Sequence, residues 1–434
     1  MYTNNPTHIT KSNVFNKAFF ETLLIALLYG IIIYYLQSFL AKASFVTQHL
    51  NETTLFHWDA GVYLNIAKNG YTYPDPKANN TGCYILFPLI WRWLHVGVKG
   101  ICIINYLFFS LGFAFLTQLY KISTLEKILW LSMPAVYVMF IPYTEAIFFL
   151  LITLVFYGIK VHNKWLVWIC LFLAALTKAT SIFLIPAMLV MELVANTNVK
   201  WYKALYAYFI NYALPLIAGI ALFIWYQYHS VHIWFAYFIQ QAEYEGHKYN
   251  MPKLPFSSME GARNIWISAI AVFCCVISVI YAVTICIRWL FKNKQEPDKL
   301  LVLSLVYFAI TLYKNIFYNP TWGTGSTLTI GIFRYVFATP FFYIFLHRFT
   351  HKDVPYKVTD FMLIFILCNI VWLSCGEYIH IKYFLYFNFC SLIIMLYMLL
   401  PDKKLSWPIT AAIALNVLFQ MLMFDQYLSG LGID

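Results

Sequence analysis

The sequence predicts an all-α polytopic membrane protein, a single bundle of about 12–13 transmembrane helices spanning residues 1–434. Composition is the first observation behind this: 62% of residues are hydrophobic, 20% aromatic and only 11% charged. A soluble domain is roughly half apolar and about a quarter charged. Second, apolar runs long enough for a hydrocarbon core of roughly 30 Å recur from end to end. They are continuous rather than alternating, which favours helices over a lipid-facing barrel. Third, basic residues recur in alternate short loops, the signature of chain segments facing the cytoplasm.

The first span covers about 19–40 and follows Lys11 and Lys17. A polar stretch, 41–83, forms the first long loop. The apolar segment 84–97 carries Pro88, Arg92 and His95 and reads as re-entrant or interfacial. Spans follow at about 101–120, 127–141, 143–160, 165–177, 180–194 and 204–226. A second long polar stretch covers 227–262. The last spans are at about 264–291, 299–318, 332–348, 358–376, 380–400 and 408–428.

With the N-terminus inside, the inner loops receive Lys121 and Lys127, Lys160 and Lys164, and Lys200 and Lys203. Arg288, Lys292, Lys294 and Lys299 follow, then Arg348, Lys352 and Lys357, then Lys403 and Lys404. Both long loops then fall outside, with Pro142-Tyr143-Thr144-Glu145, Thr177-Lys178-Ala179-Thr180 and 318–334. The unusual polar segments thus converge on one face.

The net charge of +11 is accounted for by these inner loops and does not call for a nucleic-acid partner. The nine cysteines are scattered, several within apolar runs such as Cys274-Cys275, and suggest neither a metal site nor a disulfide framework. Cys83 has no obvious partner. No signal-peptide cleavage pattern precedes the first apolar run, which reads as a retained span. No second histidine at ligand spacing and no DxD motif accompany the candidate residues, so neither a metal nor another cofactor is expected.

The first external loop holds Phe56-His57-Trp58-Asp59, followed by Tyr63 and by Ile66-Ala67 before Gly70-Tyr71. This reads as a short helix that Asp59 can cap and Gly70 can end. Tyr63 lies one turn from Asp59 on the same face, and Val62 and Ile66 can rest on the embedded body. Two readings of Asp59 stand side by side. One is a plain cap. The other is a carboxylate at the water–lipid boundary that accepts a proton from an acceptor hydroxyl during attack on an anomeric carbon. His57, a lone histidine beside it, tunes or packs rather than catalyses.

From Trp58 to Tyr71 the run resembles the W-D-x-x-x-Y-x-x-I-A-x-x-G-Y signature of the PIG-V-like mannosyltransferases, within the GT-C superfamily of polyprenyl-phosphate-sugar-dependent glycosyltransferases. Leu86-Phe87-Pro88-Leu89 stands where that family shows Phe-Phe-Pro-Leu. Tyr143-Thr144-Glu145 with Phe148 resembles its Y-T-E-x-x-F, and Arg334-Tyr335 before Pro340 its late R-Y-x-x-x-x-x-P. Thr177-Lys178-Ala179-Thr180-Ser181 sits at the family's T-R-x-x-G, with Lys for Arg and Ser for Gly.

Each short element also has a structural reading. Glu145 begins a span, where an acid meets a helix N-terminus favourably. Lys178 near a helix end can snorkel to the interface or pair with a lipid phosphate. Arg334 follows the turn Gly323-Thr324-Gly325-Ser326, and a guanidinium grips phosphate bidentately. In the second long loop, Trp234 to Phe238 form either an interfacial belt or a sugar platform, with Gln241 as a hydroxyl-binding candidate. Asn51-Glu52-Thr53 and Asn79-Asn80-Thr81 are glycosylation acceptor patterns.

The resemblance implies a GT-C-type bundle with a catalytic first external loop. It implies a sugar, typically mannose, carried by a polyprenyl phosphate and passed with inversion to an extracytoplasmic lipid- or glycan-type acceptor. Asp59 is then the base, and Arg334 and Lys178 bind the donor phosphate. His57, Trp58, Tyr63, Glu145, Gln241 and Tyr335 position substrates. The site faces away from the cytoplasm, at the plasma membrane of a bacterium or the endoplasmic reticulum of a eukaryote. The rival class is a polytopic transporter or lipid flippase, with Glu145, Lys178 and Arg334 lining a path.

Overall fold

The computed structural model describes residues 15–73, 79–120, 122–196, 199–258, 262–291, 297–320, 325–351, 357–375, 380–399 and 406–432. Lys11, Lys121, Lys292, Lys294, Lys352, Lys403 and Lys404 of the basic segments, and Gly323-Thr324 of the turn before Arg334, lie outside the described residues.

The protein is an α-helical, multi-pass membrane protein. Among the described residues, six helices are long and apolar enough to cross a bilayer: Lys17–Lys42, Val98–Gln118, Trp201–Val231, Asn264–Leu290, Lys299–Phe317 and Ile409–Leu428. Their outward faces are apolar. On Lys17–Lys42, Phe20, Leu24, Leu28, Ile31, Ile32, Tyr35 and Phe39 are all exposed, a stripe that water would not tolerate and lipid accepts. Polar side chains within these helices turn back onto their own backbone. Ser110 donates to Tyr106 O, Ser304 to Leu300 O and Thr311 to Tyr307 O, each bond closing inside its helix.

Other stretches read as full spans are shorter or interrupted, and proline is the usual cause. Pro134–Phe140, a 3-10 helix, and Glu145–Lys160 are long and apolar enough to cross a bilayer only taken together, and they are bent by 104° to one another. Pro142 has no N–H and forces Ile141 into an extended conformation (φ −107°, ψ 162°). Pro340 likewise splits the stretch read as 332–348 into Ile332–Phe337 and Pro340–Thr350, with Thr339 extended. Lys164–Ala175 and Ala179–Val194 are also short apolar helices. The Leu86–Leu94 helix is too short to cross alone, as its sequence suggests. In Trp201–Val231 a π-helical turn at Phe209–Ala213 precedes Pro215, whose ring would otherwise meet the Asn211 carbonyl.

The all-α expectation has one small exception. His247–Tyr249 in the second long loop pairs antiparallel with Tyr318–Pro320, and Ser257 bridges Leu328. These pairings bring the second long loop to the C-terminal end of Lys299–Phe317.

The bend beside Glu145 exposes backbone carbonyls inside the bundle, and a helix neighbour satisfies them. Asn105, fully buried on Val98–Gln118, donates its amide to Ile141 O (2.7 Å) and Tyr143 O (2.9 Å). Asn105→Ala leaves both acceptors without that donor. We expect a loss of about 1–3 kcal/mol in detergent unfolding. A loss no greater than that of Ser110→Ala would show that the bend does not depend on this amide.

Candidate active site

The loop after the first helix is fixed to the last one. Asp425 accepts hydrogen bonds from Thr47 N (3.0 Å) and Gln48 N (2.9 Å), and the Tyr427 hydroxyl donates to Leu55 O. This anchoring sets the start of the helix Asp59–Asn69, whose buried face is Ala60, Tyr63, Ile66 and Ala67. Tyr63 packs edge-on to Phe87 (5.3 Å) and Tyr143 (6.4 Å), docking the helix on the Leu86–Leu94 segment and the bend before Glu145. Gly70 ends the helix at φ 78° with its N–H on Ile66 O, as its sequence position suggests.

Asp59 is not the cap. Trp58 occupies that position at φ 53° and makes no side-chain capping bond, so Asp59 is the first helical residue. An acid there still meets the positive end of the helix. Its carboxylate turns toward Arg334, with Oδ2 3.6 Å from Nη1.

Glu145 opens the second helix of the bent pair and is 3% exposed. Its Oε1 accepts from Lys178 Nζ at 2.6 Å and lies 3.8 Å from Arg334 Nη1. Lys178 reaches it from an extended position (φ −157°, ψ 143°) between Lys164–Ala175 and the 3-10 turn Ala179–Phe183. Burial pushes the Lys178 ammonium below its ordinary range, and Glu145 opposes that shift. Arg334 comes from Ile332–Phe337, which starts at Gly331 in the left-handed region (φ 66°). A Cβ at Gly331 would lie 3.2 Å from the Tyr335 ring, so glycine permits both the turn and the placement of Tyr335.

Four charged residues from four separate segments therefore form one network, neutral in sum. Side-chain exposure falls along it, from 45% at Asp59 to 12% at Arg334 and Lys178 and 3% at Glu145. The Arg334 guanidinium also lies 5.3 Å from the Tyr143 ring. Arg334 Nε and the Tyr143 hydroxyl are sealed from solvent with no hydrogen-bond partner among the described residues. The arrangement offers a reachable carboxylate at the rim and guanidinium and ammonium groups below it. That order suits an uncharged nucleophile at Asp59 and an anion nearer Arg334.

The remaining candidates are spread around this network. Tyr335 lies under Lys178, its ring centroid 4.8 Å from Nζ. Gln241 lies in the loop over Gly82, with Gln240 and Glu245. His57 turns the other way: its ring packs on Tyr427 and its Nε2 lies 3.3 Å from Leu428 O, so it braces the C-terminal helix. Trp58 is half exposed. Trp234 stacks on Tyr228 at 4.1 Å, while Tyr237 is buried against Tyr84. Asn51 and Asn79 both spend their side-chain oxygens on the threonine two residues ahead. Two cavities, of about 90 Å³ beside Cys274 and Phe342 and about 190 Å³ beside Lys382 and Gln426, are lined by none of the network residues.

A further charged group near Tyr335 was not singled out from the sequence. Lys314, Glu245 and His247 gather where the paired strands meet the end of Lys299–Phe317. A lysine near the end of an apolar run was the available signal. Burial raises the Glu245 carboxyl above its usual range, against hydrogen bonds from Gln241 and Gln240. Burial, with Lys314 nearby, lowers the His247 imidazole from its ordinary 6.5 to about 4.

Compared with protein-family models, curated proteins and solved structures, the chain matches none.

Two outcomes follow from these charges. Lys178→Met leaves Glu145 short of its nearest cation. We expect a loss on the order of 3–5 kcal/mol in unfolding assays, largely restored in Lys178→Met/Glu145→Gln; additive losses would show that the pair is not coupled. The depressed His247 value means the unfolded chain binds the extra proton first. Stability from a neutral His247 is therefore present above about pH 6.5 and falls as pH drops toward about 4. Protection of the 247–258 amides, taken as exchange relative to the intrinsic rate at each pH, should fall over that window, and His247→Gln should flatten the response.

Proposed function

We propose that this protein is a GT-C-type membrane glycosyltransferase that moves a sugar, mannose in the first instance, from a polyprenyl phosphate to a lipid- or glycan-type acceptor outside the cytoplasm. The observation that carries this reading is the network itself. The acid and base residues of the resemblance, Asp59, Glu145, Lys178 and Arg334, come from segments far apart in sequence and meet within ion-pair distance. Such a donor also gives a reason for embedding: its tail stays in lipid while its phosphate and sugar reach the rim.

In this reading the acceptor oxygen attacks the anomeric carbon in line with the departing phosphate. Asp59 takes the hydroxyl proton. The bond from the anomeric carbon to the phosphate oxygen breaks, and its electron pair leaves with the phosphate. Configuration inverts in one displacement. Arg334, poised between Asp59 and Glu145, turns its guanidinium to the phosphate, which frees Asp59 to act as base. Glu145 holds Lys178 and Arg334 in place, and Tyr63 fixes the pitch of the Asp59 helix. Much of the rate enhancement then comes from positioning and from charge arranged in advance. The bundle of about 12–13 spans belongs to this reading, its shorter helices completing the count in pairs or as re-entrant segments.

The transporter or flippase reading draws on the broken span, because discontinuous helices with a charged residue at the break line many transport paths. Transfer of label separates the two. Membranes holding the protein, given radiolabelled polyprenyl-phosphate mannose and a membrane acceptor extract, should yield labelled product. Asp59→Asn should lower kcat by about 10²–10⁴-fold. Equal transfer by both forms, or movement of the intact donor without transfer, would overturn the proposal.

A further inference from the structure

The network leaves one nearby cation out. Lys178 is bound to Glu145 at 2.6 Å, and Arg334 is shared between Asp59 and Glu145. Lys314, near the end of Lys299–Phe317, has no carboxylate within 4.0 Å among the described residues. Its Nζ lies 5.9 Å from the centroid of the Tyr335 ring, the same ring that Lys178 approaches at 4.8 Å. Tyr335 is the residue after Arg334, and Gly331 gives its ring room. Two lysines thus approach one half-buried aromatic ring; among the described residues Lys178 has a carboxylate within 4.0 Å and Lys314 has none.

A lipid-linked sugar phosphate is a diester with one negative charge. Breaking the bond to the anomeric carbon makes it a monoester, which carries up to two. Over the same step Asp59 takes a proton and loses its charge. Negative charge therefore moves inward, from the rim toward Arg334 and Tyr335. A cation with no fixed carboxylate gains most from that movement, because its field is not already cancelled. A cation equally attracted to diester and monoester would tighten binding without helping the step.

Resting on the function proposed above, we infer that Lys314 meets the second negative charge of the departing phosphate beside the Tyr335 ring. It binds the monophosphate product and the late transition state in preference to the diester donor. Glu245, the acid whose charge Lys314 feels, lies beyond ion-pair distance and sets how far that preference extends.

Lys314→Met and Lys314→Arg in detergent-solubilised full-length protein test this. The readouts are transfer kinetics and direct binding of polyprenyl monophosphate and of polyprenyl-phosphate mannose, with thermal unfolding as the check on folding. We expect Lys314→Met to lower kcat by about tenfold to a hundredfold with donor KM little changed. It should weaken monophosphate binding more than donor binding, and Lys314→Arg should restore most of both. A wild-type rate in Lys314→Met, or equal weakening of both lipids, overturns the assignment while leaving the glycosyltransferase reading intact. Failure of the wild-type protein to bind either lipid overturns both.

Discussion

A carboxylate buried to 3% exposure is tolerable only if cations come to it, and Glu145 makes that demand on the surrounding fold. Desolvating such a group costs several kcal/mol even after relaxation. Lys178 and Arg334 offset that cost, and they arrive from opposite parts of the sequence. One lies at the turn after Lys164–Ala175, the other on the short helix Ile332–Phe337. Lys178 sits at a break between helices, and Arg334 sits on a six-residue helix set between the turn at Gly331 and the break at Pro340. A continuous span at either place would carry its side chains away from Glu145. Pro142, Pro340 and the extended residues before them are therefore part of the same arrangement as the ion pairs.

Arg334 then serves two carboxylates of unequal burial. At 3.8 Å from Glu145 and 3.6 Å from Asp59 it is fully committed to neither. Its Nε has no partner among the described residues, so the guanidinium holds a further donor in reserve. That Nε is sealed from solvent, so the donor is held inside the network rather than offered at the rim.

Much of this was legible in the chain. Continuous apolar runs announce membrane helices, and Glu145 could be singled out because charge at a bilayer boundary is costly, while Trp58-Asp59, Lys178 and Arg334 stood out through the resemblance of their segments to known motifs. Their convergence followed from counting loops. What could not be read was how each is held. Asp59 looked like a cap, but the Trp58 backbone takes that position, and only the path of the loop from Asp425 explains why. His57 adjoins Asp59 in sequence yet faces Tyr427, because neighbours at a helix entry point in different directions. Prolines within apolar runs were visible, but whether they kink or divide a span depends on partners such as Asn105 that sequence alone does not pair. Lys314 was hidden in an apolar run, and its place beside Tyr335 is a tertiary fact.

The proposed mechanism requires a lipid-linked sugar phosphate to sit between Asp59 and Arg334. A cryo-electron microscopy structure of the Asp59→Asn protein in nanodiscs, with bound polyprenyl-phosphate mannose, measures this directly. The account predicts phosphate oxygens within hydrogen-bond distance of Arg334 and the anomeric carbon on the side facing residue 59. A phosphate seated against other residues, or an anomeric carbon turned away from residue 59, would contradict it.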